Sequence, residues 1–187
     1  AAAFRQVMDL VPDTPLADAE QLLDQAAQAG IPAVKLHPMY QGFSIDDRRM
    51  FPLYQLIGHF GLFVVFHTGL DIAFPGNLQA DVERVQRLSR EFPGLTIVAT
   101  HVGGWRQWDR AGILGSCRNV WTETSMTLTE MDDASFVRLL DRFDEDRVLF
   151  GSDSPWTDQR EMVERMLRLP IPDGRKEKIM ALNARAL

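Results

Sequence analysis

Short apolar runs that end in a metal-ligand type of residue constrain this chain more than any other feature. Phe63-Val64-Val65-Phe66 runs into His67, Thr96-Ile97-Val98-Ala99-Thr100 into His101, and Val148-Leu149-Phe150-Gly151-Ser152 into Asp153. One such residue at the carboxyl end of a strand is compatible with chance. Three at equivalent ends of three strands, with helical segments between them, describe one face of a parallel α/β sheet. That face carries the chemistry in such folds, and the chain reads as most of an enzyme.

Six strands are predicted: Phe4–Val11, Ala33–His37, Leu62–His67, Leu95–His101, Asn119–Ser125 and Arg147–Asp153. Their centres lie about 23 to 33 residues apart, close to the roughly 30 of a strand plus a crossover helix. Several are apolar almost throughout, as strands buried on both faces are. Between them, Thr14-Pro15 offers an N-cap and a first-turn proline before the stripe Leu16, Ala19, Leu22, Leu23 and Ala26, which Gly30 stops. Ser44 and Asp47 resemble a capping box ahead of Met50, Leu53, Tyr54 and Ile57. Leu78, Val82, Val85 and Leu88 mark a helix face after Asn77; Phe136, Leu139, Leu140 and Phe143 mark another, and Met162, Met166 and Leu167 a third. A last helix runs from near Asp173 into Leu182. Six such units build either an open doubly wound sheet or a (β/α)8 barrel, and a barrel usually takes about 250 residues. The open, phosphate-binding alternative lacks a glycine-rich loop, since Val11-Pro12-Asp13-Thr14-Pro15 follows the first strand.

Composition narrows the partners. A net charge of −6 without any Lys/Arg-rich run argues against nucleic acid and anionic membranes. Cys117 is the only cysteine, which excludes a disulfide framework and a cysteine-cluster metal site. No apolar run approaches membrane-spanning length and no signal core opens the sequence, so a soluble, cytoplasmic protein is expected.

His67, His101 and Asp153 together form a credible part of a zinc or similar divalent site, which normally takes three protein ligands and a water. There the metal lowers the pKa of its water, and Asp153 can take the proton and pass it on. Gly103-Gly104 after His101 lets backbone approach a ligand closely. Lys35 and His37 share one side of their strand. Lys35 either pairs with a carboxylate at the barrel mouth, contacts a substrate anion, or carries a carbamate that bridges metals; Glu123 is a partner for any of these. Trp105, Trp108 and Trp156 follow strand ends, where they either line an aromatic substrate pocket or cover the core. His59, beside Gly58, reads as a surface residue at a helix end, and Cys117 as inert.

These segments resemble a known family. Lys35-Leu36-His37-Pro38, Phe66-His67-Thr68-Gly69, Thr100-His101-Val102-Gly103-Gly104, Trp121-Thr122-Glu123-Thr124-Ser125 and Gly151-Ser152-Asp153-Ser154-Pro155-Trp156, with Lys178-Ile179-Met180-Ala181-Leu182-Asn183-Ala184, look like the amidohydrolase-related group of the amidohydrolase superfamily. The resemblance implies an α/β (β/α)8 TIM barrel whose third to eighth strand-helix units are present, as one domain over residues 1–187 incomplete on its amino-terminal side. It implies a strand-end metal ligand in His67, a ligand and proton shuttle in Asp153, and in His101 a substrate contact or acid/base with one ion and a ligand of the second ion where there are two. The family's His-x-His pair on the first strand does not occur here.

The expected activity is metal-dependent hydrolysis or decarboxylation of a small carboxylated, aromatic or lactone-like compound. Zinc is the expected ion, with manganese as the substitute, and Lys35, His37, Trp105 and Trp156 bind substrate. A metal-independent lactonase on the same barrel, and a catalytically silent remnant serving as a binding module, stand as alternatives. Open sheet edges would invite pairing with another chain, as in a homo-oligomer.

Overall fold

The computed structural model describes residues 10–187. Among them a parallel sheet of five strands runs in sequence order: β1 (Ala33–Leu36), β2 (Phe63–Phe66), β3 (Ile97–Ala99), β4 (Val120–Glu123) and β5 (Val148–Leu149). The predicted strand Phe4–Val11 lies, but for its last two residues, outside the described residues.

Strict sequence order decides the architecture. Right-handed crossovers that always step in one direction place every helix on one face of the sheet. A doubly wound sheet reverses direction partway, and this one does not. Burial records the same asymmetry. Val34, Leu36, Val64, Phe66, Ile97, Ala99, Val120 and Thr122 face the helices and are buried, whereas Lys35, Val65 and Trp121, paired in register through Val98, face the other side and are half-buried. The chain is therefore part of a (β/α)8 barrel, with its concave face lined by the second set.

Five main helices pack outside: α1 (Leu16–Gln28), α2 (Phe51–His59), α3 (Val82–Glu91), α4 (Asp133–Leu140) and α5 (Gln159–Arg168). Apolar spacing fixes which face each buries: Ala19, Leu23 and Ala26 on α1, Val85 and Leu88 on α3, Phe136 and Leu139 on α4, and Met162 and Met166 on α5. Each larger side chain of this set contributes about 1.5–3 kcal/mol by leaving water. Aspartates start three of the helices, because a short carboxylate reaches the free N–H groups of a first turn. Asp81 accepts from the Arg84 N–H, Asp132 from Ser135 and Asp158 from Glu161.

The helix starts depart from the sequence expectation at three points. Thr14 does not cap α1; its Oγ1 accepts the Val11 N–H at 2.9 Å, and the helix begins after Pro15 uncapped by any side chain. Asp47, not Ser44, caps the turn Arg48–Met50 that leads into α2. Leu78 stands outside α3 and is exposed, because the Asp81 cap starts the helix one turn later. Leu167 is likewise exposed on α5, while Phe143 lies beyond α4 yet is buried. The final helical stretch, Asp173–Ala186, is α-helical at both ends with a π-helical turn over Lys178–Leu182. Asn183 Nδ2 donates from it to the carbonyls of Glu145 and Val148, both at 2.7 Å. No helix of the described residues is long and apolar enough to cross a membrane.

Candidate active site

A cavity of about 610 Å³ opens at the carboxyl ends of the strands, and its lining includes Lys35, His37, His67, His101, Trp105, Asp153 and Trp156. These seven residues, expected from the sequence to act on metal or substrate, thus reach one pocket; Arg106 and Arg110, also candidate cations for an anionic substrate, do not line it and pair with Glu130 and Glu83. His37 and His67 directly follow the last paired residues of their strands, His101 comes two residues after Ala99 and Asp153 four after Leu149, where the ladder no longer dictates direction. There the backbone turns sharply: His101 (φ 61°), Val102 (φ 49°) and Asp153 (φ 54°) are left-handed. Such conformations cost a non-glycine residue roughly 1–2 kcal/mol, and most for a β-branched one such as Val102. Their clustering at strand ends aims side chains into the pocket.

The hydrogen bonds fix the protons on two imidazoles. His67 Nε2 lies 3.0 Å from the Leu70 carbonyl, which can only accept, so Nε2 carries the hydrogen. His101 Nδ1 lies 2.9 Å from Ser125 Oγ and 3.3 Å from the Ser125 carbonyl, which places its hydrogen on Nδ1. The remaining nitrogens, His67 Nδ1 and His101 Nε2, face one another across 3.3 Å. Both present lone pairs, a repulsive arrangement unless a proton or a cation lies against them.

Asp71 joins the site from the loop after β2. Its Oδ2 lies 3.3 Å from His37 Nε2 and 3.6 Å from His67 Nε2, and the His37 and His67 rings stack at 4.2 Å. His37, His67 and Asp71 bring one donor atom each within 4.8 Å of the others. Sequence reasoning missed Asp71; its place four residues after His67 was the available signal. His37 Nδ1 is buried without a hydrogen-bond partner.

The pocket disfavours protonated imidazoles. Burial, then the neighbouring His67 and Lys35, pull His101 down to about 3 against the pull of Asp153. Burial and His67 likewise pull His37 down to about 4, with Asp71 opposing, so the His37–Asp71 contact at neutral pH is a neutral N–H donating to a carboxylate. Burial also lowers His67. Lys35 is lowered by burial, with Glu123 and Asp153 resisting.

Glu123 does not pair with Lys35 directly. Its carboxylate is taken by the His101 N–H, the Ser125 N–H and the Ser125 hydroxyl, each at 2.7 Å. Among the described residues Lys35 forms no hydrogen bond or ion pair, and its ammonium is left to the cavity.

The tryptophans differ. Trp105 is a buried wall of the pocket whose indole N–H donates to Glu130 at 3.0 Å, with the Arg106 guanidinium 4.3 Å over its ring. Trp156 stands 79% exposed at the rim. Trp108 is no part of the lining and donates its indole N–H to the His101 carbonyl at 2.9 Å, bracing that turn. His59 is exposed at the end of α2, and Cys117 is a buried free thiol away from the pocket.

Comparison with known proteins agrees with this geometry. No curated protein matches the chain. Among solved structures, an uncharacterized TIM-barrel protein, Bb4693 from Bordetella bronchiseptica, is similar at 28% identity with a TM-score of 0.79, over 95% of this chain and 64% of that one. 5-Carboxyvanillate decarboxylase LigW from Sphingomonas paucimobilis shares the fold at 19% identity and a TM-score of 0.69, over 94% and 63%. A dihydroxybenzoic acid decarboxylase from Polaromonas sp. JS666, with bound manganese and the inhibitor 2-nitroresorcinol, shares it at 13% identity and a TM-score of 0.72, over 96% and 67%. The chain thus spans a little under two thirds of the first two of these relatives. The family described as Amidohydrolase matches residues 1–187, and the chain belongs to that family.

Proposed function

We propose that this chain carries the site of a metal-dependent enzyme that decarboxylates a small aromatic carboxylate. One observation carries the reading: two imidazole lone pairs meet at 3.3 Å inside a cavity whose rim supplies a carboxylate. Two nitrogens and an oxygen suit zinc or manganese: His67 Nδ1 and His101 Nε2 would hold the ion and Asp153 would close on it from the rim, for among the described residues only His37, His67 and Asp71 already bring one donor atom each within 4.8 Å of one another. When bound, it would supply fixed positive charge for the oxygens of the substrate.

The protein's own groups do the rest. Lys35 supplies the unpaired cation that a carboxylate entering the cavity meets. His37, neutral and held by Asp71, bounds the same side of the cavity. Trp105 gives a fixed flat wall for a ring, and Trp156 covers it from the rim. Asp153, exposed where the cavity meets solvent, moves a proton between substrate and water. The decarboxylases of similar fold support the substrate class. The family match supports a second reading, hydrolysis of a lactone or ester at the same residues.

The test is metal content per chain by plasma mass spectrometry, followed by carbon dioxide release from a panel of hydroxybenzoates and hydrolysis of a matched panel of lactones and esters. About one equivalent of metal, lost in His67→Ala and Asp153→Ala, with carbon dioxide release that depends on it, is the expected result. Protein that takes up no metal after reconstitution would end the metal-dependent reading.

A further inference from the structure

Four hydrogen bonds converge on the side chains of Glu123 and Ser125, and none is needed to hold the strand itself. Glu123 Oε1 accepts the backbone N–H of His101 and the hydroxyl hydrogen of Ser125; Oε2 accepts the Ser125 N–H. A serine hydroxyl has one hydrogen. Spent on Glu123, it leaves the Ser125 oxygen only lone pairs to offer His101 Nδ1 at 2.9 Å, closer than the Ser125 carbonyl at 3.3 Å. The chain Nδ1–H to Oγ, Oγ–H to Oε1 therefore has one direction, and the direction originates at the carboxylate.

The third strand-end closes on the same group. A Cβ at Gly151 would lie 1.9 Å from Glu123 Oε2. Gly151 is held there by Thr124, whose hydroxyl accepts its N–H and faces its carbonyl, each at 3.1 Å. The segment leading to Asp153 thus packs directly on the carboxylate that holds His101.

We propose that Glu123, acting through Ser125, is the positioning residue that sets which ring nitrogen of His101 carries the hydrogen. Its carboxylate keeps the hydrogen on Nδ1, holds the left-handed turn at His101 through the backbone N–H, and presents Nε2 as an acceptor. The role of Nε2 rests on the function proposed above, whereas the tautomer does not. Glu123→Gln makes the point chemically. An amide nitrogen at the Oε1 position would face the His101 N–H, donor against donor, and would donate to Ser125 Oγ. The hydroxyl hydrogen would then turn to His101 Nδ1 and drive the ring hydrogen to Nε2. The opposite amide orientation sets the nitrogen against the Ser125 N–H and keeps both Oε1 bonds, and with them the tautomer, so the deciding substitution is Glu123→Ala, which frees the hydroxyl hydrogen to turn to His101 Nδ1.

The experiment is the long-range proton–nitrogen imidazole spectrum of the metal-free, 15N-labelled chain, with the His101 signals assigned by His37→Gln, His59→Gln and His67→Gln variants. Wild-type His101 is expected to carry its hydrogen on Nδ1. Ser125→Ala should lower the ratio of the Nδ1–H to the Nε2–H form by roughly tenfold, the size of one hydrogen bond, and Glu123→Ala should lower it as well. Wild-type protein with the hydrogen on Nε2, or a His101 tautomer unmoved by Ser125→Ala, overturns the proposal. If Glu123→Ala does not fold, Ser125→Ala decides alone. Because no metal is present, failure of this test is distinct from failure to bind metal.

Discussion

Replacing Gly69 with alanine separates backbone conformation from space at one position. Gly69 has φ 90°, and a Cβ there would lie 2.1 Å from the Trp105 nitrogen and 2.4 Å from its carbonyl oxygen. Gly76 has a similar φ of 77° but meets nothing within 4 Å, so it is the natural control. Both alanines bear the left-handed cost of roughly 1–2 kcal/mol, partly offset because alanine stiffens the unfolded chain by about 0.4–1 kcal/mol. Gly76→Ala should therefore destabilise by about 1 kcal/mol. At Gly69 the colliding atoms are backbone and cannot swing away. The Trp105 N–H to Thr68 carbonyl bond (2.9 Å) and the Leu70 N–H to Trp105 carbonyl bond (3.0 Å) must open. At about 1 kcal/mol each, plus the cost of the displaced turn, Gly69→Ala should lose roughly 3–5 kcal/mol. That is a large share of the 5–15 kcal/mol typical of a folded domain. Urea unfolding followed by tryptophan fluorescence measures both variants at once. Equal losses for the two alanines would refute the steric part of the reasoning.

Other substitutions test the charges. Asp46 accepts from Arg84 and Arg87; burial alone would raise its carboxyl, but these hydrogen bonds outweigh it and hold it below the usual range. A folded-state value below the unfolded one gives stability that is full above the unfolded value and vanishes as pH falls through the folded one. Asp46→Asn should thus cost roughly 1 kcal/mol at neutral pH, after allowance for solvent screening of the half-exposed arginines, and nothing measurable near the bottom of the acid transition. Lys35→Met removes an ammonium that burial disfavours, so thermal stability should rise by about 1 kcal/mol while affinity for benzoate-type ligands falls about tenfold or more; a destabilised variant with intact affinity would count against the anchor. Asn183→Ala strips 2.7 Å bonds from the buried Val148 carbonyl and the part-buried Glu145 carbonyl and should cost about 2–3 kcal/mol in the same urea assay.

Strand positions were legible in the sequence because apolar β-branched runs mark the ladder, and His67, His101 and Asp153 follow it by one, two and four residues; strand order was not, since the same units also build a doubly wound sheet. Nor were the residues that orient those three side chains. Asp71 and Ser125 act through loops whose backbone turns cannot be read from periodicity, and Ser125 looks like any short polar residue after a strand. Glu123 was visible as a carboxylate beside Lys35, yet its partners are mostly backbone N–H groups, which leave no mark in a sequence. Thr14 and Ser44 misled for a related reason: a side-chain oxygen serves whichever N–H the local turn presents, and at Thr14 that is Val11. The tryptophans were equivalent as letters, and only packing separates the buried wall Trp105 from the exposed rim Trp156.

The two residues of β5 have little ladder of their own, and the helical stretch bearing Asn183 supplies what they lack. Phe150 donates its N–H to the Ile179 carbonyl at 2.9 Å, just where the π-helical turn offers it. Helix and strand should therefore come loose as one cooperative unit, at a lower free energy than the sheet centre. Asp153, carried on that unit, would leave the pocket while His67 and His101 stayed in place. In hydrogen exchange, anything that draws Asp153 toward those two histidines would slow the amides of residues 173–186, so occupancy of the pocket could be followed from the far side of the barrel.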